Sequence, residues 1–122
     1  MATVTPTITR INDETARITW VLTNTDADGA PVGKHWADHA DRNVQVLGTF
    51  GGATVAMQGS NDGGTTYFTL DDPQGTDLSF SAAGGKAVSE VPQLTRPLLT
   101  GGAASSVTVA MVLRRSRSAQ GV

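Results

Sequence analysis

Val107, Val109, Met111 and Leu113 fall at every second position, and Thr108, Ala110, Val112 and Arg114 fill the positions between them. A period of two is the signature of an extended strand, whose successive side chains leave opposite faces. Both sets are largely apolar, which predicts a strand placed centrally in a sheet. The same period recurs upstream. Ile18, Trp20 and Leu22 alternate with Arg17, Thr19 and Val21. Val44 and Val46 alternate with Gln45 and Leu47, Val55 and Met57 with Thr54, Ala56 and Gln58, and Leu78 and Phe80 with Asp77 and Ser79. No segment shows the 3.6-residue period of an amphipathic helix. His35–Asp41 lacks a helix breaker but is too short for a stable helix and reads as a single turn or an ordered loop.

Turn-forming residues separate the runs. Thr25–Gly29, Ser60–Gly64, Asp71–Gly75, Ala83–Lys86 and Gly101–Ala103 are rich in Asp, Asn and Gly, which tolerate the backbone angles of tight turns. Residues 53–70 therefore read as a β-hairpin around Asn61–Gly64. Roughly eight or nine short strands at this spacing predict an all-β domain, a jelly-roll-type antiparallel β-sandwich. The length of 122 residues suits a single domain. Residues 1–10 and 114–122 are expected as extended N-terminal and C-terminal arms, the latter because Arg114–Val122 turns basic and then small and polar.

Composition removes several classes of function. Charged residues make up 16% of the chain against about a quarter in an average domain, and the formal net charge is -2, so no electrostatic footprint for nucleic acid is expected. Without cysteine there is no disulfide, thiolate metal site or cysteine nucleophile. Met1–Pro6 lacks a basic region followed by an apolar stretch, so a Sec signal peptide is not expected. No run approaches the ~18 apolar residues of a membrane helix.

The candidate chemical sites each have a plainer reading. His35 and His39 have the i, i+4 spacing of a two-histidine metal site, but only on a helix; the alternative is a polar surface loop. Asn24–Gly29 matches the first half of a calcium loop, yet the twelfth position is His35 where a bidentate Glu is required, so an Asx-rich turn is the alternative. Ser60–Gly64 is glycine-rich but lacks the Lys of a phosphate loop. Asp71 and Asp72 are adjacent, which in a strand sends them to opposite faces and away from shared acid–base work. No Gly-x-Ser-x-Gly elbow supports a serine nucleophile. The expectation is a protein without catalytic residues or cofactors, acting through its surface. Trp36 lies among polar residues and offers an interface anchor, against a Trp that closes the end of the core. Arg114, Arg115 and Arg117 offer a basic clamp for an acidic protein surface. Three charges would hold nucleic acid only weakly.

Asp41–Val55, Gln58–Thr65, Leu70–Gly75, Arg96–Gly102 and Val107–Val109 together resemble small structural proteins encoded in the head gene clusters of tailed phages. The resemblance spans residues 41 to 115 and is one of strands and turns. It implies a capsid decoration, or cement, protein on the outside of the virion. Its expected partners are the major capsid protein, whose subunits it bridges, and further copies of itself as a dimer or trimer, with no nucleic acid, membrane or small-molecule substrate. Val4, Thr5 and Pro6 in the N-terminal arm, with Trp36, Arg114, Arg115 and Arg117, are the expected interface residues. The alternatives are a carbohydrate-binding or adhesin β-sandwich and a head–tail or tail accessory protein of a phage virion.

Overall fold

A computed structural model describes residues 2–23, 27–33, 36, 39–103 and 105–115. The chain forms β1 (Ala2–Val4), β2 (Thr7–Arg10), β3 (Thr15–Thr23), β4 (Ala27–Gly29), β5 (Asp41–Thr49), β6 (Ala53–Ser60), β7 (Phe68–Thr69), β8 (Ser79–Phe80), β9 (Gly84–Val88), β10 (Leu94–Gly101) and β11 (Ser106–Arg114). There is no helix among the described residues. The strands make two sheets. One runs β2-β3-β11-β5-β9, and the other β1-β4-β10-β6-β7 with β8 also paired to β6. From β4 onwards the chain passes repeatedly between the sheets, the long-range pattern of a jelly-roll sandwich. All pairs are antiparallel except β1 with β4.

The alternation decides which side chains fill the space between the sheets. β11 lies at the centre of its sheet, as its two apolar faces predict, with Val109 opposite both Trp20 and Val46. Residues opposite one another across an antiparallel pair share a face. Ile18, Trp20 and Leu22 therefore meet Val107, Val109, Met111 and Leu113 in one layer, and all seven are fully buried. Val55, Met57 and Leu99 of the opposing sheet, with Leu70 and Leu78, pack into the same core. Each buried side chain of this size contributes about 1.5–3 kcal/mol of transfer free energy. Trp20 lies against the backbone of Gly29, where a Cβ would come within 2.4 Å of the indole, and its Nε1–H donates to Ala30 O at 3.0 Å.

The expected hairpin forms between β6 and β7, with Gln58 opposite Thr69 and Gly59 opposite Phe68. Its turn needs left-handed backbone at Gly63 (φ 76°) and Gly64 (φ 95°), which only glycine adopts without strain.

Three expectations are corrected. Residues 2–10 are not a free arm: β1 extends one sheet and β2 the other, because their backbone groups find partners in β4 and β3. Ala83–Lys86 is not a turn. Gly84 and Gly85 sit in the edge strand β9, opposite Val46 and Gln45, where pairing with β5 outweighs the low strand preference of glycine. Ala27–Gly29, within the expected Thr25–Gly29 turn, is strand β4. Residues 24–26 lie outside the described residues, as does the part of the expected C-terminal arm beyond Arg115.

Candidate interaction surfaces

The residues expected at an interface are dispersed. Val4 is half-buried against the core, and its carbonyl accepts from Ala30 N at 2.8 Å. Thr5 is exposed and Pro6 half-buried in the two-residue link that carries the chain from one sheet to the other. Arg114 ends β11, opposite Thr15 and Asp41, and is exposed. Arg115 is exposed, and its N–H donates to Glu14 O at 2.7 Å. Arg117 lies outside the described residues. Arg10, Arg17, Arg114 and Arg115 all belong to the same end of the β2-β3-β11 portion of the sheet, so the basic character extends beyond the C-terminal run.

Trp36 is not an exposed anchor: it is 6% exposed and belongs to the core. The reason is a polar node behind it. Arg42, 3% exposed and on the inner face of β5, donates from Nη2 to Trp36 O at 3.0 Å, from Nε to His39 O at 2.9 Å and from Nη1 to Thr95 Oγ1 at 3.2 Å. Burial lowers the Arg42 pKa from its ordinary value, yet a guanidinium stays charged at neutral pH. The Trp36 ring is met edge-on by His39 at 5.1 Å and covered by the Arg10 guanidinium at 5.3 Å. His39 is itself buried, within this packing, and His35 lies outside the described residues.

A second cluster, which sequence reading missed, sits on the outer face of the β1-β4-β10-β6 sheet. Arg96 Nη1 donates to Asp28 Oδ2 at 2.8 Å, and Nε donates to Gln58 Oε1 at 3.0 Å. Its guanidinium carbon lies 3.6 Å from the centroid of the Tyr67 ring. Thr3 Oγ1 donates to the other oxygen of Asp28 at 2.8 Å. Asp28, which the calcium-loop comparison counted as a ligand, is thus a strand residue with both carboxylate oxygens engaged. A bidentate-capable, stacked guanidinium fixes sheet register here and leaves one face of Tyr67 covered.

Acidic groups gather in the turns. Asp62 accepts from Thr66 N at 2.9 Å, Thr65 N at 3.1 Å and Ser60 Oγ at 2.7 Å. The hydrogen bond from the Thr66 backbone, then that from Ser60, holds its carboxyl below the usual range. Asp71 is pushed the other way, first by a hydrogen bond shared with Asp77 and then by desolvation and the charges of Asp77, Glu90 and Asp72. The two act oppositely on stability. The contribution of Asp62 is present above the ordinary carboxylate pKa and lost as pH falls through its depressed value. Asp71 binds its proton more tightly in the folded chain, so its contribution is present at low pH and lost as pH rises through its raised value. Thermal unfolding followed from about pH 3 to about pH 7 checks this. Asp62→Ala is expected to lower Tm at neutral pH, with the deficit shrinking in acid. Asp77→Asn is expected to raise Tm at neutral pH, with that gain also shrinking in acid.

No family model matches the chain, and no curated protein matches it. Among solved structures, it is similar to the SPBc2 prophage-derived protein YomS, at 9% identity and a TM-score of 0.57 over 80% of this chain and 93% of that one. It is also similar to a cupin domain from Bordetella pertussis Tohama I, at 12% identity and a TM-score of 0.43 over 89% and 91% of the two chains. A cupin-family protein from Methanocaldococcus jannaschii matches at 10% identity and a TM-score of 0.45 over 96% and 86%. At such identities the likeness concerns the fold alone, and the all-β sandwich is the fold.

Proposed function

We propose that this chain is a non-enzymatic structural protein of a tailed-phage virion, one that decorates the head and bridges neighbouring major capsid subunits. The observation that carries this reading is the apolar packing of the described residues between the sheets. The space between the sheets, which in a ligand-binding sandwich would hold a cavity, is occupied by Trp20, Leu22, Met57, Met111 and their neighbours. This packing supports a reading in which the surfaces carry the function. The strand-and-turn resemblance to phage head proteins, and a fold shared with a prophage-derived protein, support the phage setting. Binding the mature shell in preference to its precursor would stabilise the mature form by linkage. Many identical copies would give strength from modest single contacts.

Co-sedimentation with mature heads stripped of this protein, and with unexpanded precursor shells, tests the proposal. Saturable binding to mature heads is expected. Arg114→Glu with Arg115→Glu is expected to weaken it at least tenfold, since the exposed basic end would then meet an acidic shell surface with the wrong sign. An absence of binding to either shell, or binding to host-surface glycans alone, overturns the reading.

A further inference from the structure

β9 closes one edge of the five-stranded sheet, and its outward side pairs with no strand among the described residues. Of the strands at the ends of the two sheets it is the longest: β9 has five residues, β2 four, β1 three and β7 two. It contains no proline, and Gly84, Gly85 and Ala87 are exposed. Glycine weakens a strand and often marks a place where another backbone comes close. Along an antiparallel strand, the N–H and C=O of one residue point to one side and those of its neighbours to the other. Ser89, one residue past β9, turns its N–H away from β5 and donates to Asp71 O at 3.3 Å. By that alternation Ala87 and Gly85 direct their backbone groups away from β5 too, with no side chain larger than a methyl beside them. A lysine often guards such an edge. Lys86 does not lie across this one. It shares the inner face with Val44, and its ammonium is 3.8 Å from Asp72 and 5.9 Å from the centroid of the Phe80 ring.

We infer that β9 is a strand-addition site and that its occupant is an extended, basic segment of another protein, which joins the sheet antiparallel to β9. Backbone bonds to Gly85 and Ala87 supply the attachment, and the surroundings select the segment. The added strand stops at the turn around Asp71, because Ser89 is already bonded there. Carboxylates crowd this stop. Asp71 bridges to Asp77, its N–H donates to Glu90 Oε1 at 2.6 Å, and Asp72 faces the one ammonium of Lys86. Arg42, opposite Val88, is buried and held by its own three acceptors. The arriving segment therefore places Lys or Arg just before the residue opposite Val88, where opposite charges steer it and fix its register.

The other end of β9 asks for an apolar residue. The side chain that Gly84 lacks would begin 3.9 Å from Phe80 Cδ2, so an apolar residue opposite Gly84 fills that space from the next strand and lengthens the layer of Val46. Opposite Lys86 the fitting residue is small and neutral. On the outer side, the bare backbone of Gly85 leaves the exposed amide of Gln45 uncovered for a small polar residue. The pattern is thus two basic residues, an apolar one, three small polar ones and a second apolar one. Strand addition does not depend on the capsid reading. A chain that takes up such a segment but ignores phage heads would overturn only that reading, and one that binds heads but not the segment would overturn only this one.

Titration of the full chain with the peptide acetyl-Lys-Arg-Val-Thr-Thr-Thr-Val-amide, read also by hydrogen exchange, tests the inference. Saturable binding with a Kd of about 100 μM or tighter is expected. The amides of Gly85 and Ala87 should gain about tenfold protection in the bound chain, while those of β11 stay as they were. Ala87→Pro deletes an outward N–H without removing a bond to β5 and is expected to weaken binding about tenfold. Asp71→Asn with Glu90→Gln keeps the size and the acceptor oxygens of both side chains. This pair is expected to weaken binding about fivefold, yet to leave unchanged the binding of a peptide with Gln in place of Lys and Arg. Far-ultraviolet circular dichroism separates loss of binding from loss of fold, and the charge pair still decides the matter if the proline variant unfolds. No binding at about 1 mM peptide overturns the inference. So does binding that leaves the amides of Gly85 and Ala87 unprotected, or equal binding of a peptide with Glu in place of Lys and Arg. Protection of those two amides that grows with protein concentration in the absence of peptide would mean that a second copy fills the edge, and overturns it as well.

Discussion

Replacing Trp20 with alanine is expected to destabilise the fold by about 4 kcal/mol, among the larger losses a single core truncation produces. The indole is fully buried at the centre of the sheet–sheet contact, opposite Val109 and flush against Gly29. Its removal takes away the transfer free energy of the ring, opens a cavity that the flanking strands cannot close without bending, and leaves Ala30 O without its 3.0 Å donor. In a domain of this size such a loss lowers Tm by roughly 15 °C. The fit between Trp20 and Gly29 adds a second measurement. A methyl at position 29 would lie 2.4 Å from the indole and 2.6 Å from Pro97 Cδ. Gly29→Ala should therefore be strongly destabilising in the wild-type chain and much less so beside Trp20→Ala. A double-mutant cycle reads the coupling as a departure from additivity above about 1 kcal/mol. If the two losses simply add, the close approach is not what holds β4 against β3.

Much of this architecture is legible in the residues because it is local. Alternation fixes which side of β3, β5, β6 and β11 faces inwards, and the two apolar faces of β11 place it centrally. Asn61–Gly64 marks the hairpin because left-handed backbone is needed there. What is not legible depends on contacts made far along the chain. Trp36 lies among mainly polar residues in sequence. It is buried by the Arg42 node and by Arg10, and the latter arrives from the opposite edge of the sheet. Asp28 and Arg96 are 68 residues apart, and only the pairing of β10 with β4 brings them together. Gly84 and Gly85 read as a turn because no local signal distinguishes a loop glycine from one on a strand edge. β1 and β2 read as an arm for a similar reason: strands this short acquire their state from the sheets they join.

The same division runs through the surfaces. The core positions of β11 were legible as a row, and so was the apolar character of the row on its other side. The sequence pattern uses both rows to place the strand centrally in its sheet and does not say which of them faces the interior. In the sandwich only one face of each sheet is internal, and register alone puts Thr108, Ala110 and Val112 on the outer side of β11.

Arg42 is the other position where one substitution should have a large effect, and there the reasoning concerns acceptors more than the charge. Its guanidinium joins two backbone carbonyls of the β4–β5 connection, Trp36 O and His39 O, to Thr95 on the opposing sheet. These three acceptors are neutral, so among the described residues it is hydrogen bonds and not a carboxylate that offset the cation. Each buried acceptor left without a donor costs about 1–3 kcal/mol, and methionine, which fills similar space, supplies none. Arg42→Met is therefore expected to cost about 3 kcal/mol in urea unfolding with an unchanged m-value. Lysine keeps the charge but presents a single ammonium that cannot span three divergent acceptors, so Arg42→Lys should recover only part of the loss. Hydrogen exchange locates the effect. The amides of Trp36 and His39, which donate to Gly33 O and Trp36 O, should lose protection in Arg42→Met while those of β11 keep it. A variant within about 1 kcal/mol of wild type would mean that packing of the Trp36 ring alone holds the connection. Uniform loss of protection across both sheets would instead make the node part of the global core, not a clamp on one end of it.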